Sequence, residues 1–142
     1  MCAALRAARK MPEPDFIHIR SSQDIVSVRQ VVRARAVELG FSLVNVTKVV
    51  TAASELARNT LVHGGGGSAT VEPLIDGLKR GLRMAFEDHG PGIADIERAM
   101  TDGYTTAGGL GLGLSGAKRL TDEFCLKSAP GEGTKATITK WA

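Results

Sequence analysis

Residues 108–118 read GGLGLGLSGAK, and what this run is decides the fold. Gly111-Leu112-Gly113-Leu114-Ser115-Gly116 satisfies the spacing GxGxxG. A dinucleotide fingerprint needs a strand immediately before it and a βαβ unit around it. Here a stretch of glycines and threonines precedes it, and too little chain follows for a parallel crossover sheet. Gly111 to Lys118 also approaches a P-loop. Ala117 separates Gly116 from Lys118, however, and Arg119 stands where the metal-binding hydroxyl belongs. Both familiar glycine-loop folds are therefore rejected. What remains is a glycine loop opening a helix, whose free N–H groups and positive dipole end suit a phosphate. A plain flexible linker would not explain glycines alternating with leucines.

Upstream, Asp88-His89-Gly90-Pro91-Gly92 follows a strand-like run. Asp, Gly and Pro all favour turns, so a tight turn is one reading. The other is a carboxylate at a strand end that accepts a hydrogen bond from an exocyclic amine such as adenine's. Gly90 and Gly92, lacking Cβ atoms, would then let backbone approach a ring. Further upstream, Glu55 and Asn59 are spaced i, i+4 and share one helix face, nearly opposite the Val46/Ala53/Ala57 stripe. A solvated polar face is one reading. The other makes Asn59 an oxygen ligand for Mg²⁺, an ion that keeps waters and shares phosphates, and makes Glu55 a general base. Arg58 and His63 lie close by: a surface arginine or a phosphate contact, and a helix-end residue. Gly133-Thr134 alone says turn and strand. Beside Asp88, the threonine hydroxyl could complete a base-binding network.

The surrounding pattern is helical first and hairpin-rich later. Phe16 to Arg20 alternates as a strand. Ser21 and Asp24 form a capping pattern. Ile25, Val28, Val32 and Leu39 mark a helix stopped by Gly40. Ser42 caps a second helix with the apolar stripe Val46, Val49, Val50, Ala53, Leu56, Ala57 and Leu61, ended by Gly64 to Gly67. Strands over Ala69 to Ile75 and Leu82 to Glu87 form a hairpin through Asp76-Gly77. A short helix is expected over Ile93 to Met100, a loop over Thr101 to Gly111 and a helix over Leu112 to Thr121. Strands Glu123 to Ser128 and Lys135 to Lys140 form the last hairpin. This order predicts α+β, an α/β sandwich with helices on one face of a mixed, mostly antiparallel sheet.

The chain has 142 residues, the size of one domain. Residues 1–13 read as a disordered basic tail, with Arg6, Arg9 and Lys10, and residues 14–142 as the domain. The formal charge of +3 is that of the tail's three basic residues, so it is a poor argument for nucleic acid. Few aromatics are present for base stacking. No apolar run spans a bilayer, and the first residues lack the apolar region of a secretory signal. Cys2 and Cys125 lack metal or CxxC spacing. They read as isolated thiols of a reducing cytosol, with Cys125 a small core residue. A cytoplasmic protein without membrane or nucleic-acid partners is expected.

Taken together, the motifs resemble the GHKL ATPase superfamily of gyrase, Hsp90, histidine kinases and MutL. Glu55-x-x-x-Asn59 resembles its N box. Asp88-His89-Gly90-Pro91-Gly92 resembles the D-x-G-x-G box, with His89 at a variable position. Gly109-Leu110-Gly111-Leu112-Gly113 resembles the second glycine box and Gly133-Thr134 the last glycine–threonine box. Within the superfamily the chain is similar to the small serine kinases of bacterial partner switching, of the RsbT type found in stressosomes. Ser54 to Asn59, Glu87 to Ile93, Asp102-Gly103-Tyr104-Thr105-Thr106, Gly108 to Gly111, Lys118 to Phe124 and Lys140-Trp141 carry that likeness.

The resemblance implies a Bergerat-type sandwich binding ATP and Mg²⁺. It gives Asn59 to the metal, Glu55 to the general base and Asp88 to the adenine amine, with Gly92 and Thr134 supporting the base. Gly109, Gly111 and Gly113 would lie on the phosphates. Gly90, Ile93, Thr105, Thr106, Gly108, Leu110 and Leu112 would complete the nucleotide contacts. The implied phospho-acceptor is a serine or threonine on a STAS-domain protein. The kinase released by that reaction would activate a downstream effector such as a phosphatase or cyclase. The alternative within the family is an anti-sigma factor that sequesters a sigma factor and phosphorylates its STAS antagonist.

Overall fold

A β-hairpin forms the centre of the molecule. β3 (Gly67–Asp76) and β4 (Lys79–Asp88) pair antiparallel from Gly67 opposite Asp88 to Asp76 opposite Lys79. In the computed structural model, residues 9–10, 13–101 and 113–142 are described. The hairpin is longer at both ends than its apolar runs suggest. The added positions, among them Gly67, Lys79 and Asp88, have low strand propensity, and cross-strand pairing overrides it.

Around the hairpin lie β1 (Arg9–Lys10), β2 (Asp15–Ile19), β5 (Glu123–Ser128) and β6 (Thr134–Trp141). The six strands run β1–β3–β4–β6–β5, with β2 also on β3. Every pairing among the described residues is antiparallel, so the expected mixed sheet is corrected to an antiparallel one. β2 and β1 share one edge of β3: Asp15–Ile19 take Gly67–Val71, and Arg9–Lys10 take Leu74–Ile75. Part of the segment read as a disordered tail is thus a strand. β3 is twice as long as β2, and its outer half has backbone groups to pair.

Two long helices cover the sheet, α1 (Ser22–Glu38) and α2 (Leu43–Val62). Both caps foreseen in the sequence form. The Asp24 carboxylate accepts from the backbone N–H of Arg20 at 2.8 Å and of Ser21 at 3.2 Å. The Ser42 hydroxyl accepts from the Asn45 N–H at 3.1 Å. Arg35 donates to Asp15 at 2.7 Å, tying α1 to β2, and this hydrogen bond raises the arginine's pKa above its ordinary value. α3 is a single turn, Ile96–Ala99, capped by Asp95. It is shorter than the expected Ile93–Met100 because the Asp95 side chain caps it on the Arg98 N–H, so the helix begins only after Asp95. α4 (Gly113–Arg119) packs against α2.

The core lies between helices and sheet. Val28, Val32 and Ala36 of α1 and Val46, Val49, Ala53 and Ala57 of α2 meet the inward row Val71, Met84, Phe86 and Ile138. On β3 and β4 the inward residues alternate with less buried ones, as period two requires. Cys125 is buried, as expected of a small core residue. The other cysteine, Cys2, lies outside the described residues.

Candidate functional site

Asp88 is the last residue of β4, and its place there comes from two registers. It stands opposite Gly67 on β3 and opposite Thr134 on β6. Thr134 in turn stands opposite Ser128 on β5. Gly67, Asp88, Thr134 and Ser128 therefore form one row across four strands at one end of the sheet. Asp88 is only 8% exposed. Its Oδ1 accepts from the Gly90 N–H at 2.9 Å, closing a local turn of the kind that aspartate side chains favour. The turn reading holds for this residue.

The row opens into a cavity of about 390 Å³. Asn59 and His63 of α2 line one wall. Asp88, Gly92, Ile93 and Thr134 line the sheet side, and Gly113 and Leu114 the start of α4. Asp95, Arg98 and Ala99 of the α3 turn close it, with Pro91 and Ala94. The structure thus brings together six residues singled out in the sequence: Asn59, Asp88, Gly92, Ile93, Gly113 and Thr134. Thr105, Thr106, Gly108, Gly109, Leu110, Gly111 and Leu112 lie outside the described residues.

Glu55 does not line the cavity. It sits one helical turn before Asn59 and is 8% exposed. The reading of a solvated polar face is thereby corrected. α2 lies on the sheet and packs against both α1 and α4, so even the side away from its apolar stripe is covered. Ala52 and Thr60 are buried with it, and the Thr60 hydroxyl satisfies itself on the Leu56 carbonyl at 2.9 Å. A buried carboxylate is costly without a purpose or a partner, which separates Glu55 from the exposed acids of this chain.

The glycines have a structural part of their own, separate from the expected approach to a ring. They bring backbone against backbone. A Cβ on Gly133 would lie 2.2 Å from the Asp88 carbonyl oxygen, and Gly133 has φ +75°. A Cβ on Gly92, at φ +76°, would lie 2.0 Å from the Ala129 carbonyl oxygen. These approaches pull the Asp88–Gly92 segment onto the 129–133 turn, where the Gly131 N–H also bonds the Pro91 carbonyl at 2.7 Å. Gly90 sits behind the cavity, with its Cα face against Gly64.

Two contributors were not singled out in the sequence. Gly64 reads there only as a helix terminator, yet a Cβ on it would lie 2.3 Å from the Asp88 carboxyl carbon. Ser128 reads only as the end of a strand. Its hydroxyl binds the Ile93 N–H at 2.8 Å, the Gly133 carbonyl at 2.9 Å and the Thr134 hydroxyl at 2.8 Å. The one signal available was its symmetric place across the Pro130–Gly133 turn from Thr134.

The donor set suits a nucleotide with its metal. A buried carboxylate and a hydroxyl end the sheet row, and Asn59 offers an amide oxygen across the cavity. No group of three or more His, Cys, Asp or Glu occurs among the described residues. A cation here would draw its other ligands from phosphate and water, the habit of Mg²⁺.

Comparison with known proteins agrees with this arrangement. The family of histidine kinase-, DNA gyrase B- and HSP90-like ATPases matches residues 44–141. The chain is 47% identical over 131 residues to the serine/threonine-protein kinase RsbT of Bacillus subtilis, covering 92% of this chain and 98% of the relative. It is 33% identical over 137 residues to an anti-sigma F factor of a Thermoanaerobacter species, covering 92% and 93% of the two chains. A solved structure of the RsbU and RsbW domains of a Mycobacterium tuberculosis protein superposes with a TM-score of 0.63 at 22% identity. That match covers 91% of this chain and 32% of the other, and it speaks to the fold. No helix among the described residues is long and apolar enough to cross a membrane.

Proposed function

Because this chain belongs to the histidine kinase-, DNA gyrase B- and HSP90-like ATPases, we propose that it is an ATP-dependent protein serine/threonine kinase. Its acceptor is a serine or threonine on a STAS-domain protein of a bacterial, stressosome-type partner-switching pathway in the cytoplasm. The single observation that carries the reading is the pairing of two carboxylates in different settings. Asp88 ends a strand at the cavity, opposite Thr134, and Glu55 is buried one turn before the cavity-lining Asn59. Binding a nucleotide needs the first; only transfer needs the second.

Asp88 and Thr134 hold the base, with Gly90, Gly92 and Ile93 shaping the turn beside it. Asn59 would hold Mg²⁺ by its amide oxygen, and the metal when bound would supply positive charge to the phosphates. Thr105, Thr106 and the 108–113 run hold the phosphates. Glu55 takes the proton from the acceptor hydroxyl, whose oxygen attacks the γ-phosphorus in line as the bond to the β-phosphate oxygen breaks and ADP leaves. The new phosphate adds about −1.5 to −2 charge to the acceptor surface. Repulsion there releases the kinase, which then engages an effector such as a phosphatase or cyclase.

The anti-sigma reading stays as the second, favoured by the similarity to anti-sigma F factors. Incubation with labelled ATP and the STAS proteins of the same organism tests the first. Label on a STAS serine or threonine, lost with Glu55→Ala while ATP still binds, supports it; transfer at the normal rate by Glu55→Ala removes the base assignment. Retention of a sigma factor by the protein, with no STAS protein present, would favour the second reading.

A further inference from the structure

Ser128 lies behind the cavity rather than in its lining, and its hydrogen-bond arithmetic is closed. A serine hydroxyl has one proton to donate and two lone pairs to accept with. It has three partners here: the Ile93 N–H at 2.8 Å, the Gly133 carbonyl at 2.9 Å and the Thr134 hydroxyl at 2.8 Å. An amide N–H can only donate, so it occupies one lone pair. A carbonyl oxygen can only accept, so it takes the single proton. The remaining partner, the Thr134 hydroxyl, must then donate its own proton to the second lone pair.

We infer that Ser128 is a specificity-determining positioning residue that fixes Thr134 as a hydrogen-bond acceptor toward the cavity. With its proton held by Ser128, Thr134 shows only lone pairs to a ligand. Its cross-strand neighbour at the same end of the cavity is Asp88, whose carboxylate is also an acceptor. Two acceptors on adjacent strands match an amino group, which carries two N–H donors. A base with a carbonyl at that position would set an acceptor against both. The chemistry selected is therefore a 6-amino purine over a 6-oxo purine. Once the Ser128 hydroxyl is gone, the Thr134 proton is free to turn into the cavity and donate to the 6-oxo group. The inference rests on the reading that a purine nucleotide occupies this cavity.

The test compares binding of ATP and ITP, which differ in the 6-amino and 6-oxo groups, by equilibrium titration of the full chain at fixed Mg²⁺. The wild type should favour ATP. Ser128→Ala should lower the ATP-to-ITP affinity ratio by about tenfold, the scale of one mismatched buried polar contact. Ser128→Thr and Ser128→Val have one shape and differ in the hydroxyl. The first should keep the ratio and the second should lose it. This pair decides the matter if Ser128→Ala does not fold. A residue that only braced the turn would lower the thermal midpoint and weaken both nucleotides in parallel. An unchanged ratio in Ser128→Ala, or equal ratios in the Thr and Val variants, overturns the inference and leaves the nucleotide reading intact. A wild type that binds neither nucleotide overturns the nucleotide reading itself.

Discussion

The two walls of the cavity are built on different principles. The α2 wall carries Asn59, with Glu55 buried one turn before it, on a helix whose backbone is satisfied by its own ladder and whose position is set by apolar packing on the sheet, α1 and α4. The sheet wall carries Asp88 and Thr134 on strand ends that are pinned by close backbone contacts at Gly92 and Gly133 and by the Ser128 hydroxyl. Side chains on the helix can change without disturbing the frame. On the sheet wall the frame and the site are the same atoms. Substitutions should therefore separate chemistry from folding on the first wall and fail to do so on the second.

The sharpest break of that contrast would come from Glu55. Glu55→Gln is expected to slow phosphoryl transfer by about 10²–10⁴-fold, the usual scale of general-base catalysis. Its thermal midpoint and ATP affinity should stay near wild type. A large fall in midpoint would show that the helix wall is as structural as the sheet wall. Gly133→Ala should do the reverse. The φ of +75° and a backbone oxygen 2.2 Å from the new Cβ combine strain with overpacking, for about 3–5 kcal/mol of lost stability. Chemical denaturation measures it, and a stable Gly133→Ala protein would mean that the turn has room to open.

Asn59→Ala is expected to weaken Mg²⁺-dependent ATP binding by about tenfold or more, the cost of one charge-assisted contact, again with little loss of stability. Titration with and without the metal separates that from a general loss of affinity. Gly77→Ala is the control for Gly133. Its φ is +63°, but nothing lies within 4 Å of the added Cβ. Only the backbone strain applies, so about 1 kcal/mol should be lost. A loss as large as that of Gly133→Ala would show that the close approach contributes little. Asp24→Ala, which removes no cavity-lining side chain, should cost about 1 kcal/mol through the α1 capping box and leave nucleotide binding unchanged.

How much of this was legible differs between the walls in the same way. The helix wall could be read directly. The i, i+4 spacing of Glu55 and Asn59, the apolar stripe and the caps at Ser21 and Ser42 are local properties of one segment. The burial of Glu55 was not legible, because α4, which packs against α2, is more than fifty residues away in the chain. The ends of the sheet were misjudged for a related reason. Gly67, Lys79 and Asp88 join strands through partners that local propensity does not register.

By itself the sequence determined the element types, the antiparallel hairpins, the rejection of the two common glycine-loop folds and the six cavity residues Asn59, Asp88, Gly92, Ile93, Gly113 and Thr134. Those follow from period, capping and turn chemistry, which act over a few residues. Only the tertiary structure decided that Gly67, Asp88, Thr134 and Ser128 form one row, that Gly64 leaves space for the Asp88 carboxylate and that Gly92 and Gly133 bring backbone against backbone. Strand register and the approach of distant turns decide such matters. A serine that looked like the end of a strand holds the Thr134 proton because Thr134 faces it across the β5–β6 hairpin while the Ile93 N–H, from beyond β4, takes its other lone pair.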